Sequence, residues 1–203
     1  CFPCSIKLAS CDMCILKPET CHYEQGTCRE PEWGLANCFR PHIVYLANSS
    51  GLKVGITRES QVPTRWIDQG ATQALGILRV KDRKTSGLVE TILKKHVNDK
   101  TDWRKMLKGK SDDLDLKHLA SELLAQCAAE LEGLAIEKLD WQITTIDYPV
   151  LSYPDKIKSL GLEKNPEIEG VLTGIKGQYL MFENTVINIR AHSGFEVSIQ
   201  GEL

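Results

Sequence analysis

Seven of the eight cysteines, Cys1, Cys4, Cys11, Cys14, Cys21, Cys28 and Cys38, lie before residue 39 of this 203-residue chain. In a small secreted domain such density signals disulfides, whereas in a reducing compartment clustered cysteines bind metal. The N-terminus lacks the basic-then-apolar pattern of a secretory signal, and no apolar run approaches the roughly 20 residues that cross a bilayer. The chain therefore reads as soluble and cytoplasmic, with a metal-binding segment over residues 1–40. Cys1/Cys4 and Cys11/Cys14 are C-x2-C pairs, and this spacing lets one tight turn present two thiolates to a tetrahedral zinc ion. Cys21 and Cys28 complete a site with Cys11 and Cys14, leaving Cys38, His22 and His42 as spare ligands. Zinc is the expected ion, and an iron–sulfur cluster draws on the same thiolates. Because the chain opens on Cys1 and not on methionine, it reads as a piece of a longer protein, and Cys1/Cys4 either supply ligands within this segment or form half of a site completed upstream. Cys127, on the apolar face of a predicted helix, reads as a small buried hydrophobe.

The formal net charge of −2 conceals an asymmetry along the chain. Residues 1–40 carry four Lys/Arg against five Asp/Glu, residues 41–110 fourteen against six, and residues 111–203 seven against sixteen. A basic middle segment in an otherwise acidic protein suits contact with nucleic-acid phosphates, from which Lys and Arg release condensed counterions.

Within that segment, His42–Ala47 and Leu52–Thr57 are β-rich runs joined by Asn-Ser-Ser-Gly, and they read as a hairpin. A three-residue loop with Gly51 left-handed pairs Ala47 with Lys53 and Tyr45 with Gly55. Alternation then places Tyr45, Ala47, Lys53, Gly55 and Thr57 on one face, expected to be chemical, and Val44, Leu46, Leu52, Val54 and Ile56 on the other, expected to be core. Pro63 suits the first turn of a helix running to about Gln69 and stopped by Gly70. Arg65 falls near free backbone amides there, where a guanidinium is placed to clamp a phosphate. Ala74–Val80 reads as a third strand. A helix over 86–97 follows, with Leu88, Val89, Ile92, Leu93 and Val97 as its apolar stripe, Glu90 at the edge and His96 near the centre as a hydrogen-bonded core histidine.

From Ile43 to about Leu107 this arrangement resembles the GIY-YIG nuclease superfamily. Ile43-Val44-Tyr45 occupies the first signature tripeptide, Lys53-Val54-Gly55-Ile56-Thr57 the second, Arg65 the helix arginine and Glu90 the later helix glutamate. The order β-β-α-β-α agrees. Lys53 stands where the namesake motif has tyrosine, as in the phage-type and some restriction-enzyme branches. The resemblance implies metal-assisted hydrolysis of a phosphodiester, with Glu90 holding Mg²⁺ or Mn²⁺. Tyr45 would deprotonate or orient the attacking water, Lys53 would lower the tyrosine pKa or neutralise charge, and Arg65 would stabilise the transition-state phosphate. A free phenol titrates near pH ~10, so it needs cationic help to act as a base. Asn98 and Asp99 follow the Glu90 helix, where they either assist or cap it. Over nearly the whole chain, the stretches GTCREPEWG, VYLANSSGLKVGIT and GIKGQYLMF resemble an uncharacterised bacterial family of unknown function.

Beyond the core, residues 111–139 are expected to hold one long packing helix over 114–139, on which Leu116, Leu119, Leu123, Cys127 and Leu131 recur at helical spacing. Residues 140–203 show short β-rich stretches between turn signals, which suggest a small antiparallel β-barrel. Its acidity argues against backbone contact with nucleic acid over most of its surface and suits a protein partner. The expected fold class is α+β. Two functions follow: a divalent-metal-dependent endonuclease, or a catalytically inactive zinc-containing adaptor that binds nucleic acid or scaffolds.

Overall fold

The computed structural model describes residues 1–98 and 100–201. The chain is α+β, with two separate sheets and a cysteine-rich N-terminal segment. That segment holds helix α1 (Phe2–Lys7), four short 3₁₀ turns between Ala9 and Gln25, and helix α2 (Pro31–Asn37). Its turns follow from local chemistry, as where the Asp12 carboxylate accepts the Cys14 amide and Gly26 supplies a left-handed φ of 72°.

Strands β1 (His42–Asn48) and β2 (Leu52–Arg58) form the expected hairpin with the expected register, Tyr45 opposite Gly55 and Ala47 opposite Lys53. Helix α3 (Thr64–Asp68) follows, then β3 (Gln73–Val80), which lies antiparallel to β1 on its other side. Helix α4 (Arg83–Leu93) begins three residues earlier than expected because the Asp82 side chain caps it, accepting the Thr85 amide at 2.7 Å. It also ends earlier, so His96 is exposed in the turns beyond it and is not a core histidine. Asp99 lies outside the described residues.

Helix α5 (Trp103–Met106) precedes α6 (Leu116–Gln126) and α7 (Ala128–Leu131). The single long helix expected over 114–139 is thus two shorter ones, and the chain past Gly133, whose φ is +81°, turns extended. Strands β4 (Ile136–Lys138) and β5 (Ile143–Thr145) both pair with β3, so the hairpin's sheet takes its last strands from beyond residue 110. Cys127 sits in the core between this sheet and α6, as its helical position implied.

The second sheet comprises β6 (Lys158–Leu160), β7 (Leu172–Lys176), β8 (Tyr179–Phe182) and β9 (Thr185–Asn188), in the order β6-β9-β8-β7. It is open and mixed, β6 running parallel to β9, and it corrects the expected antiparallel barrel. The barrel was expected from five β-rich stretches, at 142–146, 170–175, 178–182, 186–190 and 196–199; of these the first joins β3, and the last forms no strand. Four strands of three to five residues cannot curl far enough to close.

Helix α5 joins the two sheets. Trp103 stacks on Tyr179 with centroids 5.5 Å apart, and the fully buried Lys176 donates to the carbonyls of Met106 at 3.0 Å and Gly109 at 2.9 Å. The Tyr153 and Tyr148 rings face its ammonium at 5.1 and 5.8 Å. Burial pushes the Lys176 amine down to about 8, and Lys110 adds to the shift. The folded chain therefore releases this proton at lower pH than the unfolded chain. Stability relative to Lys176→Met is expected to rise as pH climbs from about 8 towards the unfolded lysine range and to be lost again as pH falls through about 8. Paired urea titrations across that window check the sign. Among the described residues, no helix is long and apolar enough to cross a membrane.

Candidate functional site

Both faces of the hairpin are covered. Val44, Leu46 and Val54 pack with Val89 and Leu93 of α4 on one side. Ile43, Tyr45 and Ala47 pack with Trp66, Ala71 and Ala74 on the other. The face expected to be chemical is thus also core at Tyr45, which is 0% exposed. The reason is α3, whose Trp66 closes over the phenol ring edge-on at 5.9 Å. Gly55, directly across the ladder, leaves the room. A Cβ there would stand 2.6 Å from the Tyr45 hydroxyl oxygen and 2.7 Å from the ring carbon that bears it.

The Tyr45 hydroxyl donates to Gln69 Oε1 at 3.0 Å. Burial pushes its pKa up to about 12; the Arg65 guanidinium pulls it down, and the Glu90 carboxylate pushes it up. Three of the four sequence candidates, from a strand and two helices, therefore share one electrostatic neighbourhood. Lys53, the fourth, is the diagonal neighbour of Tyr45 on the same face of the hairpin and is 5% exposed. Its strand is pinned at this point, since Lys53 bridges Asn98 and the Val54 amide donates to the Asn98 carbonyl at 2.8 Å. Arg65 and Glu90 are each half-buried. With five residues, α3 is too short to present a helix terminus to an anion, so any phosphate contact falls to the Arg65 side chain itself. Gln69 and Trp66 carry no sequence signal that would have marked them, because each acts only through what it touches.

The second cluster lies in the cysteine-rich segment. Cys14, Cys21, Cys28 and Cys38 line one cavity of about 20 Å³, together with Asp12 and His22. Cys11, expected among the ligands from its spacing, is exposed and does not line this cavity, whereas Cys38 does. Cys1 and Cys4 are exposed and face each other across one turn of α1, their sulfurs 3.2 Å apart. His42 lies away from the cavity lining. It is buried in the first strand, its Nδ1 donating to the Arg40 carbonyl at 2.7 Å and its Nε2 unpartnered. Among the described residues, the one group of three His, Cys, Asp or Glu ligand atoms within 4.8 Å of one another is Asp12, Cys14 and His22. Asp12 is already engaged by Arg29 at 2.7 Å, and His22 Nδ1 lies 2.7 Å from Thr27 Oγ1. Burial first, then the negative charges of Asp12, Cys21 and Cys38, push the Cys14 thiol up to about 11. This donor set is suited to a cation, which stabilises thiolates that would otherwise stay protonated at neutral pH.

The cysteine segment is docked on α4. The Arg83 amide donates to the Cys38 carbonyl at 2.9 Å, and Lys84 pairs with Glu24 at 2.6 Å. Gly87 permits the contact, since a Cβ there would lie 2.6 Å from both the Glu19 amide nitrogen and Pro18 Cβ. Gly87→Ala is therefore expected to lift the segment from the helix, at a cost of about 1–3 kcal/mol. Limited proteolysis within residues 9–30 should quicken while the β1–β3 amides keep their hydrogen-exchange protection.

The chain belongs to a family described as protein of unknown function (DUF2797), whose profile matches residues 1–197. No curated protein and no solved structure matches it.

Proposed function

We propose that this member of the family acts on nucleic acid as a divalent-metal-dependent phosphodiester hydrolase, with a GIY-YIG-like core over residues 42–107. What supports the reading is that the Arg65 and Glu90 charges, from two helices, both act on the Tyr45 hydroxyl, with Lys53 its diagonal neighbour on the hairpin. Basic residues of the 41–110 segment would engage the backbone phosphates, and the acidic C-terminal sheet a protein partner. A reducing, cytoplasmic setting suits the free thiols.

In this mechanism Glu90 would hold Mg²⁺ or Mn²⁺, and that ion would supply positive charge against the scissile phosphate. Arg65 bonds the non-bridging oxygens as negative charge grows on them. Lys53 neutralises charge on the strand side. A phenol held near 12 is a poor base at neutral pH. Tyr45 therefore keeps its proton, donated in the hydrogen bond to Gln69 Oε1, and would orient the attacking water as a neutral phenol.

The burial of Tyr45 and Lys53 favours a second reading, a catalytically inactive zinc-containing adaptor in which these two side chains are packing residues. Incubating the whole chain with labelled single- and double-stranded DNA and RNA, with Mg²⁺, Mn²⁺ or EDTA, separates the two. Cleavage that requires the divalent ion is the hydrolase result. Salt-sensitive binding to the panel with no strand cut under any condition is the adaptor result.

A further inference from the structure

Hydrogen-bond bookkeeping around His22 leaves two lone pairs facing each other. Thr27 Oγ1 lies 3.2 Å from the His22 carbonyl and 2.7 Å from its Nδ1. A hydroxyl has one hydrogen to give, so the arrangement that satisfies both contacts has Thr27 donating to the carbonyl and accepting from Nδ1–H. The neutral ring then presents a bare lone pair at Nε2, which faces Asp12 Oδ2 at 3.5 Å. Two acceptors this close need a cation between them. A proton on Nε2 would make a charge-assisted hydrogen bond, but such bonds run at about 2.7–2.9 Å. Two ligand atoms held about 2.0–2.2 Å from a tetrahedral zinc ion stand about 3.3–3.6 Å apart, which includes the separation found here.

Cys14 Sγ completes the group, and all three ligand atoms lie within 4.8 Å of one another. Each is held from behind. Asp12 Oδ1 accepts the Cys14 amide at 3.3 Å, which fixes the turn between these two ligands, and Oδ2 accepts Arg29 Nε at 2.7 Å while keeping a further lone pair. Arg29 is anchored in turn by the carbonyls of Ser5 at 2.7 Å and Leu8 at 3.3 Å. Metal ligands characteristically carry such outer partners: a histidine donates its other N–H, and a carboxylate is hydrogen-bonded in its turn.

We infer that Asp12 Oδ2, Cys14 Sγ and His22 Nε2 hold one zinc ion, with a water from the adjoining cavity as its fourth ligand. That cavity, about 20 Å³, has room for one water. Of the thiols expected from spacing, this site uses Cys14 alone, and Thr27 and Arg29 are positioning residues. The ion ties residues 12–14 to His22 across the 3₁₀ turns. The assignment stands independently of the phosphodiester reading, because its readouts are spectroscopic and involve no substrate.

The test is Co²⁺ substitution in the whole chain, read by absorption and metal stoichiometry. The expected result is one ion per chain with the sulfur-to-cobalt charge transfer of a single thiolate, about a quarter of the intensity of a four-thiolate site. Cys14→Ser should abolish that band and His22→Ala should abolish stoichiometric binding, whereas Cys11→Ser and Cys38→Ser should leave the spectrum unchanged. If any of these variants does not fold, the wild-type intensity decides, since it counts the thiolates. Thr27→Val, at an exposed position, should bind zinc roughly 10–100-fold more weakly, with Thr27→Ser recovering most of the loss. Added azide should shift the visible cobalt bands as it displaces the water. An intensity of three or four thiolates that falls in Cys38→Ser would overturn the ligand set, and so would an unchanged spectrum in His22→Ala. Failure of the wild-type chain to bind Co²⁺ or zinc would overturn the site and leave His22 and Asp12 as a protonated pair. Iron–sulfur absorption in the protein as isolated would overturn zinc. Bands that do not respond to azide would overturn the water ligand.

Discussion

If the chain is the proposed hydrolase, Arg65→Ala is expected to lower the rate of phosphodiester cleavage by about 10²–10³-fold while nucleic-acid affinity changes far less. The asymmetry follows from the placement of the guanidinium. Arg65 is half-buried beside a phenol whose environment is otherwise unfavourable to negative charge, through burial and through Glu90. On the proposed hydrolase reading, charge developing on a phosphate there would be stabilised strongly because water is partly excluded, whereas ground-state binding would draw on many lysines and arginines of the same segment. Arg65→Lys should recover little, since a point charge does not reproduce the planar fork. Single-turnover rates and filter-binding constants on the same labelled strand give both numbers. Equal losses in rate and affinity would reduce Arg65 to one more backbone contact.

Gly55→Ala should be the most damaging single-methyl change in the hairpin. The added Cβ would meet the Tyr45 hydroxyl and its ring carbon at 2.6 and 2.7 Å. The ring cannot retreat, because Trp66 packs against it and the residue has no exposed surface. Either the strands part or the phenol leaves its pocket, breaking its bond to Gln69. Overpacking of this severity costs about 3 kcal/mol, the upper part of the usual range. For a chain of this size that corresponds to a fall in Tm of roughly 6–12 °C. Gly55→Ala combined with Tyr45→Phe should recover part of the loss, since the clash with the hydroxyl oxygen is removed. A Tm within a degree of wild type for Gly55→Ala would mean that Tyr45 is not held where the structure puts it.

The hairpin register was legible in the sequence because loop length and Gly51 leave few ways to join two alternating strands. The residue-to-residue pairing is as expected. The burial of the Tyr45 face was not legible, since alternation assigns a side chain to a face without saying what covers that face. Here the cover is Trp66, supplied by a five-residue helix. The cysteine site shows the same limit. Spacing identifies C-x2-C pairs, but the 3₁₀ turns between Ala9 and Gln25 turn Cys11 outward, and Cys38 reaches the cavity through its hydrogen bond to the start of α4. The C-terminal barrel failed because strand count along the chain does not fix partners. The stretch near residue 143 found an unfilled edge on β3 instead of closing a second sheet.

The most direct measurement of the central claim is strand cleavage by the whole chain carrying Glu90→Gln, with Mg²⁺ or Mn²⁺ and zinc content held equal to wild type. Glutamine keeps the shape and removes the charge that a divalent ion needs. The account predicts loss of cleavage by about 10²-fold or more with binding to the same strand retained. Cleavage at the wild-type rate by Glu90→Gln would contradict it.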